Sequence, residues 1–208
     1  MLYLRNSIGT AANNGFIPPG LPGYNTSNIG YTYNPTKALT LLKEAGFSST
    51  AQLPAIKLLT IPIYANLASY VANELAQIGI PIQVEVVQKS LLLQQTSKNQ
   101  ALFFRGSWIA DYPDAQNYLS VFYGKNPSPP NYTRYNNPTF DALYNAAAAE
   151  TNDSIRYTMY SKMDAMIVAD APVVPLWYDM VLHLVHKNVK GFSPNSINML
   201  ELRHVQKQ

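Results

Sequence analysis

The chain has 208 residues, 47% of them hydrophobic and 13% charged, which suits one generous domain or two small ones with a real core. Lys and Arg number 15 against 12 Asp and Glu, and the surplus is confined to residues 181–208, where Lys187, Lys190, Arg203 and Lys207 face Glu201 alone. The balance elsewhere excludes a broad nucleic-acid or membrane-surface patch built on clustered cations, and the lack of cysteine excludes disulfides, thiolate nucleophiles and thiolate metal sites.

No run approaches the roughly 20 apolar residues that span a bilayer, and no basic segment leads into an apolar one at Met1. Taken alone, these features describe a soluble, unexported chain. Residues 6–33, rich in Gly, Pro, Asn and Ser without a sustained period, read as an extended connection over a surface or as a disordered leader. "NPTKALTLLKEAGF" is a helix: Asn34 caps it, Pro35 takes its first position, Ala38, Leu41, Leu42 and Ala45 form its stripe, and Gly46 ends it.

Residues 55–63 then read as a buried strand, and Leu67, Val71, Leu75 and Ile78 mark one face of a helix closed by Gly79. "IQVEVVQ" is a second strand, "SLLLQQTSK" a short helix and "ALFFRGSW" (101–108) a third strand. Strands alternating with helices over short connections predict a parallel α/β sheet with right-handed crossovers. Past residue 110, prolines and aromatic residues surround one short helix from Asp114. Two longer helices follow, "NPTFDALYNAAAAE" and "DSIRYTMYSKMDAMIVADAP". The second carries Ile155, Met159, Met163, Met166 and Ile167 at helical spacing, a stripe that reads as core packing. Alternation in "VVPLWYDMVLHLVHKNVKGF" predicts two strands around Asp179, and "NMLELRHV" a last one.

Few residues could carry chemistry. Asp111 and Asp114 form a pair of the kind used in glycoside hydrolysis, but Pro113 between them imposes a turn, and Asp-x-Pro-Asp is turn and cap chemistry, with Asp114 capping a helix at Ala115. Asp111 lies just past the C-terminal end of a parallel strand, where open α/β sheets bind ligands. Were residues 105–111 extended, Arg105 and Asp111 would stand about 20 Å apart at 3.3 Å per residue. A bend after Trp108 would place a cation and an anion at the ends of a slot lined by an aromatic ring, a pattern suited to a zwitterion. Structural or solvated roles remain open for all three. His183 and His186 fall on opposite faces of a strand, which argues against a metal site. His204 is read as solvent-exposed. No nucleophile elbow, Walker loop or dinucleotide fingerprint is present.

The order "IPPGLPGYN", "YNPTKALTLLKEAGF", "GSWIADYPDAQNYL", "YNNPTFDALYNAA", "RYTMYSKMDAMIVADAPVVPLWY" and "VKGF" resembles the bacterial extracytoplasmic solute-binding proteins of the dipeptide, oligopeptide and nickel class (family 5), the binding components of ABC importers. The resemblance covers nearly the whole chain and lies in the C-terminal part of a family more than twice this length. It implies an α/β fold, one lobe of a two-lobed periplasmic-binding-protein-like (type II) architecture with a mainly parallel sheet flanked by helices. Residues 1–33 would enter the lobe, 34–175 would form the ligand-binding lobe, and 176–208 would return as strands to complete the other, absent lobe. Export signals would lie upstream, so that Met1 is either an artificial start or the start of a truncated gene.

The implied function is capture of short peptides, without turnover and without a cofactor, for delivery to the permease subunits of an ABC transporter, in the periplasm or anchored at the cell surface. Residue by residue, Asp111 matches the family's acidic partner of the peptide α-amino group, Trp108 the tryptophan three residues earlier, and Arg105 a basic residue that in some members reaches the ligand carboxylate. Nickel, haem and oligosaccharide are the alternatives on this scaffold, and hydrolysis by Asp111 or Asp114 a remote one. The chain alone is expected to bind peptide weakly and to be prone to dimerise through surface that the absent lobe would cover.

Overall fold

The computed structural model describes residues 9–195 and 197–208. In chain order it contains β1 (Thr10–Ala11), α1 (Pro35–Glu44), β2 (Ile56–Thr60), α2 (Ala65–Ala76), β3 (Ile82–Val86), α3 (Lys89–Ser97), β4 (Phe103–Phe104), α4 (Gln116–Leu119), α5 (Pro138–Ala149), α6 (Asp153–Asp170), β5 (Trp177–Tyr178), β6 (Val189–Lys190) and β7 (Gln206–Lys207). These elements group into two compact units. Thr32–Ser107 with Pro127–Arg134 make the first; residues 9–31, Trp108–Asn126 and the described part of Tyr135–Gln208 make the second. The stretch 34–175 is thus divided between the two.

The first unit is the expected parallel α/β sheet, in the order β3-β2-β4, with Leu58 of the central strand opposite Val84 on one side and Phe103 on the other. Leu58, Leu59 and Thr60 are all buried, as a strand covered on both faces requires. The crossovers run through α2 and α3, and Leu67 and Ala68 of α2 and Leu92 of α3 are buried. The third strand, expected over 101–108, is only two residues long. The Arg105 amide still reaches Leu59 O at 2.9 Å, but Gly106 and Ser107 are exposed and leave the ladder.

Helix α1 begins as its sequence demands: Asn34 accepts a hydrogen bond from the Lys37 amide and Pro35 opens the first turn. At its end Gly46, with φ +90°, lets the Phe47 amide reach back to Leu42 O at 3.0 Å. The apolar stripe turns only partly inward, since Ala38 and Leu42 are half-buried while Leu41 is 52% exposed. Arg134 donates to Thr96 O and Ser97 O at 3.0 and 2.9 Å, so a cation satisfies the last carbonyls of α3.

The second unit is built on α5 and α6, with Phe140, Tyr144, Ala147, Tyr160, Met163 and Ile167 packed in one core with Leu119 and Phe122. The methionine stripe behaves as expected, with Met163 fully buried and Met159 and Met166 packed against it. Residues 9–31 belong to this core. Ile17 and Leu21 are buried in it, and Phe16 meets Phe122 edge-on at 4.8 Å.

A buried carboxylate ties that stretch down. Asp164 accepts from the amides of Phe16 (2.7 Å) and Ile17 (3.4 Å) and from the Asn28 side chain (3.4 Å). Burial outweighs these donors and pushes its pKa up to about 6. An acid whose folded pKa exceeds its unfolded value binds extra protons in the folded state, so its contribution to stability falls as pH rises through that window. Acidification from pH 7 to pH 4 should therefore strengthen the fold through this group by about 2 kcal/mol, a slope that thermal melts should show and that Asp164→Asn should flatten.

The C-terminal strands differ from expectation. Instead of two strands over 173–192 and one over 198–205, there are three two-residue strands, with β5 antiparallel to β1 and β6 antiparallel to β7. Residues 180–185, apolar at every position except His183, have no ladder partner among the described residues, and Leu184 is 92% exposed.

Candidate functional site

The chain does not stay extended over residues 105–111, and from Trp108 onward it bends within the second unit. The bend is organised by Asn117 of α4, which is only 5% exposed. Its Oδ1 accepts from Trp108 Nε1 at 2.8 Å and from the Asp111 amide at 3.3 Å, while its Nδ2 donates to Asp111 Oδ2 at 3.4 Å. One buried amide thus gathers an indole ring, a backbone turn and a carboxylate. Trp108 is half-buried and packs against the core of this unit, whereas Asp111 is exposed between exposed Ile109 and Tyr112. Asp111 Oδ1 receives no hydrogen bond from any described residue.

Asp114 has the structural role that the turn reading expects. Its Oδ1 accepts from the Gln116 amide at 2.8 Å at the start of α4, one residue later than anticipated. Its Oδ2 pairs with Arg156 Nη1 at 3.2 Å, and Arg156 also holds Asp153 at 2.7 Å. With Asp114 so engaged, the two acids do not form an isolated dyad. Next to them Gln116 bridges the hydroxyls of Tyr112 and Tyr144, and Tyr123 stacks on Tyr144 at 4.6 Å.

Arg105 belongs to the first unit, where its guanidinium lies 3.6 Å over the ring of Tyr64 and Nη1 donates to Ser107 Oγ at 3.3 Å. Within the second unit the structure joins Trp108 to Asp111 through Asn117. His183 Nε2 lies 3.0 Å from Asn198 Oδ1, and His186 Nδ1 accepts from the Asn188 amide. Among the described residues no group of three His, Cys, Asp or Glu side chains could hold a metal ion, and no helix is long and apolar enough to cross a membrane. Asn117 is the residue that sequence reasoning missed. No spacing marks it, because its contacts with Trp108 and Asp111 exist only once the chain bends between them.

The fold is that of part of a periplasmic binding protein. The chain superposes on a solved ABC transporter-associated periplasmic binding protein of Helicobacter pylori in complex with the peptide STSA, with a TM-score of 0.81 and 27% identity, over 99% of this chain and 40% of that one. It belongs to the bacterial extracellular solute-binding proteins of family 5, whose middle-region model matches residues 4–130. Curated relatives include the heme-binding protein A of Haemophilus influenzae, 29% identical over 88% of this chain and 34% of that protein, and the dipeptide-binding protein of Escherichia coli, 26% identical over 88% and 35%. The chain thus spans about a third of the length of these two relatives.

Proposed function

We propose that this chain supplies the amine-recognising part of a peptide receptor serving an ABC importer, acting outside the cytoplasm and delivering its ligand to permease subunits without transforming it. The observation that carries the reading is the exposed carboxylate of Asp111, held at one oxygen by the same buried amide that accepts from the Trp108 indole. A carboxylate coupled through one amide to an indole suits a primary ammonium with an apolar neighbour. The names of relatives support peptide as the ligand class, since one is a dipeptide-binding protein and a solved neighbour holds a peptide.

Arg105 is the proposed partner of the ligand carboxylate, and its stacking on Tyr64 would keep its guanidinium oriented. The apolar side chains exposed over 180–185 and 199–202 fit strands that complete a second lobe, and in the isolated chain they would favour self-association. The test is a calorimetric titration of dialanine and N-acetyl-dialanine into this chain and into a form extended at its N-terminus to the length of family members. Binding of dialanine with loss on acetylation is the expected result. Indifference to the acetyl group would remove the ammonium role, and binding of haem in place of either peptide would move the receptor to the other ligand class among its relatives.

A further inference from the structure

We infer that Asn117 is the positioning residue of this site: it sets the Asp111 carboxylate and the Trp108 ring as one preset unit. The inference rests on the peptide-receptor reading for its purpose, and on geometry for its content. Two donors, the Trp108 indole N–H and the Asp111 backbone N–H, converge on one side-chain oxygen. That convergence fixes which end of the amide is oxygen, and so aims the amide N–H group at Asp111 Oδ2. Being buried, Asn117 has no other orientation that satisfies all three contacts.

The arrangement also limits what the ligand can meet. The indole N–H is already engaged, so Trp108 offers ring surface rather than a hydrogen-bond donor. One oxygen of Asp111 is tied back, leaving Oδ1 to face the ligand. The preferred occupant is therefore an ammonium carrying an apolar group, such as a hydrophobic residue at a peptide N-terminus, rather than a ligand that would need a donor from the indole. Because one carboxylate oxygen is already held, ordering it costs less entropy on association.

The experiment has two arms. In the first, 15N NMR follows the Asn117 side-chain amide and the Trp108 indole N–H of this chain as the pH is lowered. Both resonances should shift as Asp111 is protonated, and the shift should vanish in Asp111→Asn. Resonances that ignore acidification, or that titrate equally in Asp111→Asn, would overturn the inference. In the second, dialanine affinity is measured for wild type, Asp111→Asn, Asn117→Asp and the double variant, in both the chain and the extended form.

Asn117→Asp keeps an acceptor for the two N–H donors but replaces the donor to Asp111 with a second anion. It should weaken dialanine on the order of tenfold, make binding depend on pH as the two carboxylates share a proton, and add nothing in the Asp111→Asn background. An equal loss in both backgrounds would mean that Asn117 acts only on the fold, which overturns its positioning role. If Asp111→Asn itself binds dialanine normally, the ammonium reading falls, while the first arm still reports whether Asn117 holds the carboxylate.

Discussion

Asp111→Asn is expected to weaken dialanine binding by about 2–5 kcal/mol, the range measured when one partner of an enclosed charge pair is truncated. The size of the loss is informative because Asp111 is exposed in this chain. An exposed ion pair contributes less than about 1 kcal/mol, so a large effect requires that binding encloses the carboxylate, whereas a small one means that it stays wet. The substitution keeps the shape of the side chain and the Asp111 amide bond to Asn117, so a change in affinity reports charge and not collapse of the turn. Unchanged affinity would remove Asp111 from the site.

Gly15→Ala is expected to cost about 4 kcal/mol of stability, combining backbone strain with overpacking. Gly15 sits at φ +118°, and an added Cβ would lie 2.0 Å from Asp164 Oδ2 and 2.7 Å from its Cγ. The carboxylate would have to leave, and with it the bonds to Phe16 and Ile17 that seat the 9–31 stretch on the core. Gly46→Ala is the control, since Gly46 also has positive φ but an added Cβ would meet nothing within 4 Å. It should cost only about 1 kcal/mol through the backbone. Denaturant midpoints of the two variants separate strain from clash, and equal losses would show that the contact with Asp164 does not matter.

The parts of the fold that were legible in the sequence are those governed by local rules. The Asn-Pro starts of α1 and α5 place a capping side chain and a preset φ at adjacent positions, and both Asn34 and Asn137 cap as expected. The central strands and helices were readable because burial on both faces leaves an apolar run between turn residues. The 9–31 stretch was not, because what orders it is Asp164, 148 residues beyond Phe16 in the chain. The C-terminal stretch misled in the opposite direction: an apolar or alternating pattern suits a strand, yet a strand also needs a partner in register, and the pattern carries no information about one. At the site, Trp108, Asp111 and Arg105 were picked out by residue type and by their place past a strand end, and the family resemblance supplied the expected role of each. The residue that gathers two of them, Asn117, is marked by no spacing, since its role exists only once α4 folds back beneath the bend.

The engagement of the Trp108 indole has a practical side. The chain holds only two tryptophans, and the other, Trp177, lies on β5 close to Gly9. Replacing Trp177 with phenylalanine would leave Trp108 as the single long-wavelength emitter, anchored beside the carboxylate by a hydrogen bond that ligand need not break. The site would then carry its own optical reporter, in which a change in emission marks a change in what covers the ring.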